Sequence, residues 1–139
     1  MSVIIRYLLM VTIALCLVSV ESTFHGTATF YSPYIPSACF GDTNEGSYVA
    51  GVGDELWDNG AACGRQYSVI CTGATNGGVP QPCTGAAVTV TVVDYNPGAA
   101  TIINLSPLAF LTIAKLDAGS VYVNVIRSVD LKLTMHGLS

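Results

Sequence analysis

Hydrophobic and polar positions divide the chain into three stretches. Residues 7–20 form an unbroken run of apolar and small side chains in which only Thr12 and Ser19 are polar. From residue 26 onward short β-type runs alternate with segments rich in turn-forming residues. Residues 26–32 (Gly-Thr-Ala-Thr-Phe-Tyr-Ser) carry alternating β-formers and predict a strand. Between 33 and 60, Pro, Gly, Asn, Asp and Ser predict a long loop region, with a short strand over 48–52 and a single helical turn over 54–57. Residues 67–71 predict another strand, and 72–86 a turn-rich excursion. The strongest strand signal is 87–94, Ala-Val-Thr-Val-Thr-Val-Val-Asp, where valines alternate with threonines and a carboxylate closes the run. Pro97-Gly98 turns the chain, and 101–105 predicts a short strand. The one clear helix follows. Ser106 suits its N-cap and Pro107 its first position, while Leu108, Phe110, Leu111 and Ile113 give an apolar side up to about Lys115. Residues 120–126 predict a last core strand, and 130–134 either a further strand or a loose tail. Many short strands and one late helix argue for a compact β-barrel.

The first run changes how the composition is read. Arg6 is the only charge before Glu21, and small residues follow near Ser22 and Thr23. A 14-residue apolar core is shorter than the roughly 20 residues that span a bilayer, so 1–22 is expected to be a signal peptide. No membrane insertion is expected once it is cleaved. Five cysteines then become four, because Cys16 leaves with the signal. In an oxidising compartment Cys39, Cys63, Cys71 and Cys83 predict two disulfides, in any of three connectivities. A zinc site is the rival. It is disfavoured because no Cys-x-x-Cys pair exists and His25 and His136 lie near the two ends of the mature chain.

Charge removes several classes of function. The net charge is −4, and Arg65, Lys115, Arg127 and Lys132 do not cluster, which argues against a nucleic-acid or anionic-membrane partner. There is no Gly-rich phosphate loop, no His-carboxylate metal cluster and no Ser-His-Asp order, so no cofactor and no metal is expected.

Several stretches resemble the plant natriuretic peptide and expansin-like proteins, whose shared unit is the family-45 endoglucanase-like domain. They are Gly-Thr-Ala-Thr-Phe-Tyr at 26–31, Pro-Ser-Ala-Cys-Phe-Gly at 36–41, Trp-Asp-Asn-Gly-Ala-Ala-Cys-Gly-Arg at 57–65 and Tyr-Ser-Val-Ile-Cys-Thr-Gly-Ala-Thr-Asn at 67–76. Val-Pro-Gln-Pro-Cys at 79–83, Val-Thr-Val-Val-Asp at 90–94 and Asn-Leu-Ser-Pro-Leu-Ala-Phe at 104–110 complete them. The resemblance implies a mainly β fold: a six-stranded, barwin-like double-psi β-barrel with one short helix over 24–127, followed by a tail at 128–139. It also implies the pairs Cys39–Cys63 and Cys71–Cys83. A third pair common in the family, just after the barrel aspartate, is absent, with Asn96 and Ala99 or Ala100 in its place. The match is to the natriuretic-peptide branch, a single barrel without the second, carbohydrate-binding domain of full expansins.

Related enzymes of this barrel flank a sugar groove with two carboxylates, because glycoside hydrolysis needs a proton donor and a second carboxylate as base or nucleophile. Asp94 matches the first position. The second is Asn104, which cannot ionise, so no catalytic residue is assigned. The other nearby carboxylates, Asp54, Glu55, Asp58 and Asp117, fall in loops. Asp94 has two readings: a turn aspartate that accepts backbone N–H groups from 95–98, or a groove residue that binds a saccharide hydroxyl. Thr29, Tyr31, Tyr95 and Asn104 complete the candidate polysaccharide groove, with strand packing as the alternative role for Thr29 and Tyr31. Trp57 is either a stacking platform for a sugar or a residue that pins a loop. Asn104-Leu105-Ser106 is also a glycosylation sequon, although Pro107 follows directly and Ser106 is needed by the helix.

The resemblance implies a secreted, non-enzymatic protein of the apoplast or cell wall, expected to act as a monomer. Its role would be systemic control of water and solute balance through a cell-surface receptor, with 36–73 as the active stretch. The alternative is a module that binds or loosens wall polysaccharide.

Overall fold

In the computed structural model, residues 2–8 and 22–128 are described. Residues 9–21 of the expected signal peptide and the 130–134 segment lie outside them. Residues 3–8 are helical (α1). Six strands follow: β1 (Thr23–Phe30), β2 (Val49–Val52), β3 (Gln66–Ala74), β4 (Ala87–Tyr95), β5 (Ile103–Leu105) and β6 (Val121–Arg127). Two helices, α2 (Asp54–Trp57) and α3 (Pro107–Ile113), and two 3-10 turns, Asp58–Gly60 and Leu116–Ala118, connect them.

The strands close into a barrel in the order β1-β5-β2-β4-β3-β6. Two pairs, β1 with β5 and β2 with β4, run parallel within an otherwise antiparallel ring. This is the six-stranded, mainly β barrel that the resemblance implied, and it carries few short helices. Closure leaves no free edge, which suits a short chain with few charges to guard one.

Boundaries differ from the sequence expectation where pairing decides them. β1 begins at Thr23 rather than residue 26 because Thr23 to Ala28 pair with β6, and only Ala28 to Phe30 pair with β5. β3 continues past 71 to Ala74 because a bulge between Cys71 and Gly73 lets pairing with β6 resume. β5 starts at Ile103, two residues late.

Val52, Tyr67, Val69, Val90, Val92, Ile103, Leu105, Val121, Val123 and Val125 fill the interior. α3 closes it with Phe110 and Ile113, and the ring of Phe30 packs 4.9 Å from that of Phe110. Fully burying a side chain such as Phe110 contributes about 1.5–3 kcal/mol. Ser106 caps α3 as its sequence position suggests, its hydroxyl accepting from the Ala109 N–H at 3.2 Å. Disulfides join Cys39 to Cys63 and Cys71 to Cys83. The first ties the 31–48 loop to the turn before β3, and the second ties the 72–86 excursion back to its own strand.

Candidate functional site

Strand register sets up the site. Thr29 pairs with Asn104, Asn104 with Gly51, and Gly51 with Asp94. These four residues form one row across β1, β5, β2 and β4. Tyr31, two residues past Thr29, brings its ring to the same face. Its hydroxyl donates to Asp94 Oδ2 at 2.7 Å, and the Ala38 N–H donates to Asp94 Oδ1 at 3.0 Å. Asn104 Nδ2 donates to Asn96 Oδ1 at 2.8 Å, while the Thr101 hydroxyl donates to Asn104 Oδ1 at 2.7 Å. Gly51 lies beneath both halves of this network. A Cβ on Gly51 would collide with Asn96 Oδ1 and sit 2.9 Å from the Tyr31 oxygen, so it could enter only if these side-chain ends shifted.

Burial and the neighbouring Asp94 carboxylate push the Tyr31 phenol well above its ordinary value. Tyr34 packs edge-on against Tyr31, with ring centroids 4.5 Å apart, and donates to the Leu105 carbonyl at 2.8 Å. Burial raises its phenol as well. Both hydroxyls therefore remain protonated donors at any physiological pH. Asp94 keeps unused lone pairs, since a carboxylate offers about four acceptor sites and two are occupied.

Three expectations change. Asp94 does not accept from the 95–98 turn. That turn is held instead by Asp54, whose Oδ2 accepts from the Gly98 N–H at 3.2 Å, because Asp94 points outward to Tyr31 and the 36–39 loop. Tyr95 does not join Tyr31, Asp94 and Asn104. Successive strand residues face opposite ways, and Tyr95 stacks on Trp57 with centroids 4.4 Å apart and planes 4° apart. Its hydroxyl donates to Asp54. Thr29 lies in the row, but its hydroxyl is turned to the Gly119 carbonyl at 2.8 Å. Asn104 is 6% exposed with its amide engaged on both sides, so a glycan there would have to displace this packing.

Trp57 and Tyr95 line a separate open cleft of about 610 Å³ at the end of the barrel, together with Asp54, Glu55 and Asp58. Asp58 pairs with Arg65 at 2.8 Å. Asp117 lies exposed in the Leu116–Ala118 turn. None of these carboxylates hydrogen-bonds to a residue of the Asp94 row, so that row holds a single ionisable carboxylate. Sequence reasoning missed Gly51, Asn96 and Thr101 as members of the network. Register alone could have named Gly51, because an outward-facing Gly between two candidate polar residues is the signal of a close approach.

The comparisons with known proteins agree with this architecture. Residues 49–125 match the family described as lytic transglycolase. The chain is 46% identical to an EG45-like domain containing protein of Citrus jambhiri over 121 residues, covering 85% of this chain and 92% of that one. It is 42% identical to a putative EG45-like domain containing protein 1 of Arabidopsis thaliana, covering 81% of this chain and 90% of that one. Among solved structures, the expansin of Clavibacter michiganensis superposes with a TM-score of 0.62 at 24% identity, over 78% of this chain. The chain spans about half (52%) of that expansin's length. A point mutant of the same expansin, solved in complex with cellohexaose, superposes with a TM-score of 0.61 over the same shares of both chains, again at 24% identity. A β-1,4-D-endoglucanase from blue mussel, Mytilus edulis, shares the fold at a TM-score of 0.52 and 17% identity, over 75% of this chain and 79% of that one. With its closed six-stranded barrel and two disulfides, the chain belongs to the EG45-like, expansin-like family of barwin-like double-psi barrels.

Proposed function

We propose that this protein is a secreted, non-hydrolytic module that binds wall polysaccharide along the Thr29–Asn104–Gly51–Asp94 row. One observation carries the reading: the row holds one carboxylate, partly exposed and anchored by Tyr31 and Ala38, while its second polar position is a buried Asn104. Hydrolysis of a glycosidic bond by the usual route needs two carboxyl groups across the scissile bond. A single fixed acceptor with free lone pairs suits hydroxyl recognition instead. The cellohexaose complex of the structurally similar expansin is the reason to name a β-glucan as ligand. Secretion is supported by the apolar run at 7–20 and by the two disulfides, which persist in oxidising compartments. Retention of the purified chain on insoluble cellulose tests the reading. Retention that falls on Asp94→Ala is expected; no retention of the wild type would overturn it.

A second reading is an extracellular signal that acts on water and solute balance through a cell-surface receptor. It is favoured by residues 41–48, all exposed and flanked by the Cys39–Cys63 disulfide, since exposed loops on a rigid frame suit recognition. Protoplast swelling with the purified protein tests it, and a null response up to micromolar dose would count against it.

A further inference from the structure

We propose that the Trp57–Tyr95 cleft is a second saccharide site, built for a neutral β-linked glucan and independent of Asp94. This rests on the reading that the chain meets wall glucans. Trp57 packs against the core cluster, so pinning α2 is part of its work, but the pair also meets solvent. Here both rings are only partly buried and border an open cleft of about 610 Å³, within the size range of ligand sites. The rings stack with centroids 4.4 Å apart and planes parallel to 4°, so each covers one face of the other and the outer ring face left to the cleft is a flat apolar wall for the C–H face of a pyranose.

The wall is fixed in advance. The Tyr95 hydroxyl is bonded to Asp54, and Asp54 is bonded in turn to the Gly98 N–H, so little side-chain freedom remains to be lost on binding. Around it stand polar groups with no work in the fold. Among the described residues, the side chains of Glu55, Asn59 and Arg127 line the cleft and make no hydrogen bond. They supply both donors and acceptors, as a ring of sugar hydroxyls requires. The charges favour a neutral ligand over a uronate: Asp54, Glu55 and Asp58 outnumber Arg65 and Arg127, Arg65 is already paired with Asp58, and the whole chain carries −4.

Trp57 is the only tryptophan in the chain, so its fluorescence reports this cleft alone. Titration of the purified chain with cellohexaose is expected to give a saturable change in that emission. Asp94→Ala is expected to titrate like wild type, and Tyr95→Leu at least about tenfold more weakly. The wild-type titration needs no variant to fold. Flat emission, with cellulose retention that still depends on Asp94, would overturn the cleft site and leave the first reading standing. Loss of both signals would overturn both. A stronger response to polygalacturonate than to cellohexaose would overturn the neutral-glucan assignment.

Discussion

The two sides of β4 near its end differ in how their polar groups are used. On the Asp94 side, each polar side chain of the row is bonded to another part of the protein: Thr29 to Gly119, Asp94 to Tyr31 and Ala38, Asn104 to Asn96 and Thr101. On the Tyr95 side, an aromatic pair is fixed by Asp54, while Glu55, Asn59 and Arg127 remain uncommitted. The first surface is set by strand register and rigid in each member. The second is assembled from α2, the Asp58–Gly60 turn and the ends of four strands, β1, β3, β4 and β6. The contrast shows how one strand end can present two chemically different faces, because adjacent residues point opposite ways.

The largest effect is expected where an added atom on the Asp94 side must displace members of the network. Gly51→Ala drives a methyl into Asn96 Oδ1 and places it 2.9 Å from the Tyr31 oxygen, both in the middle of the network. Overpacking of this kind costs about 1–3 kcal/mol, and the loss of hydrogen bonds adds to it. Urea unfolding should show a midpoint well below wild type, with cellulose retention reduced in parallel. An unchanged midpoint would mean that the row is looser than its distances state. Next in size is Asp94→Ala, which strands the half-buried Tyr31 hydroxyl and leaves the exposed Ala38 N–H to water. It should cost about 1–3 kcal/mol. Tyr31→Phe removes only one donor and should cost about 1 kcal/mol.

The same face predicts an alkaline response. Tyr31 and Tyr34 both ionise above their ordinary value near 10 in the folded chain, chiefly through burial. The unfolded chain releases these protons first as pH rises. Their stabilising contribution is therefore complete below about pH 10 and is lost progressively above it. Thermal unfolding followed from about pH 8 to about pH 11.5 should show a decline starting near 10, shallower in Tyr31→Phe. Tyr95, raised by its bond to Asp54 but exposed at its hydroxyl, should titrate without unfolding the protein.

Much of this is legible in the sequence, for identifiable reasons. The alternation of Val and Thr over 87–94 announces β4, and the Ser106-Pro107 start announces α3, because both signals are local. The loss of a second carboxylate at Asn104 is equally plain. The hydrogen-bond partners are not, because they depend on register between strands far apart in the chain. Local pattern offers Asp94 a role in its own turn, yet its donors come from Tyr31 and Ala38, more than fifty positions earlier. Adjacency groups Tyr95 with Asp94, although strand alternation already argues against it. The cleft is invisible for a further reason: Asp58 and Asn59 both take left-handed backbone conformations, φ 53° and 52°, which swing the chain after Trp57 in a way no local pattern announces.

That turn supplies the smallest prediction, and it separates the two sides most cleanly. Asp58 is 60% exposed and Arg65 20% exposed at the side chain, so their 2.8 Å ion pair is largely a surface one. Asp58→Asn retains a residue that tolerates the left-handed conformation while removing the charge. The expected loss is about 0.2–1 kcal/mol, shrinking as salt is raised, because exposed pairs are screened over roughly 10 Å at 0.1 M. Denaturant midpoints at low and high salt measure this directly. Cellulose retention through Asp94 should not change, since Asp58 touches nothing in that row. The Trp57 emission should shift, because Asp58 and Trp57 border the same cleft and the substitution removes a charge there. A change in Asp94-dependent retention on Asp58→Asn would show that the two faces of β4 are coupled rather than separate.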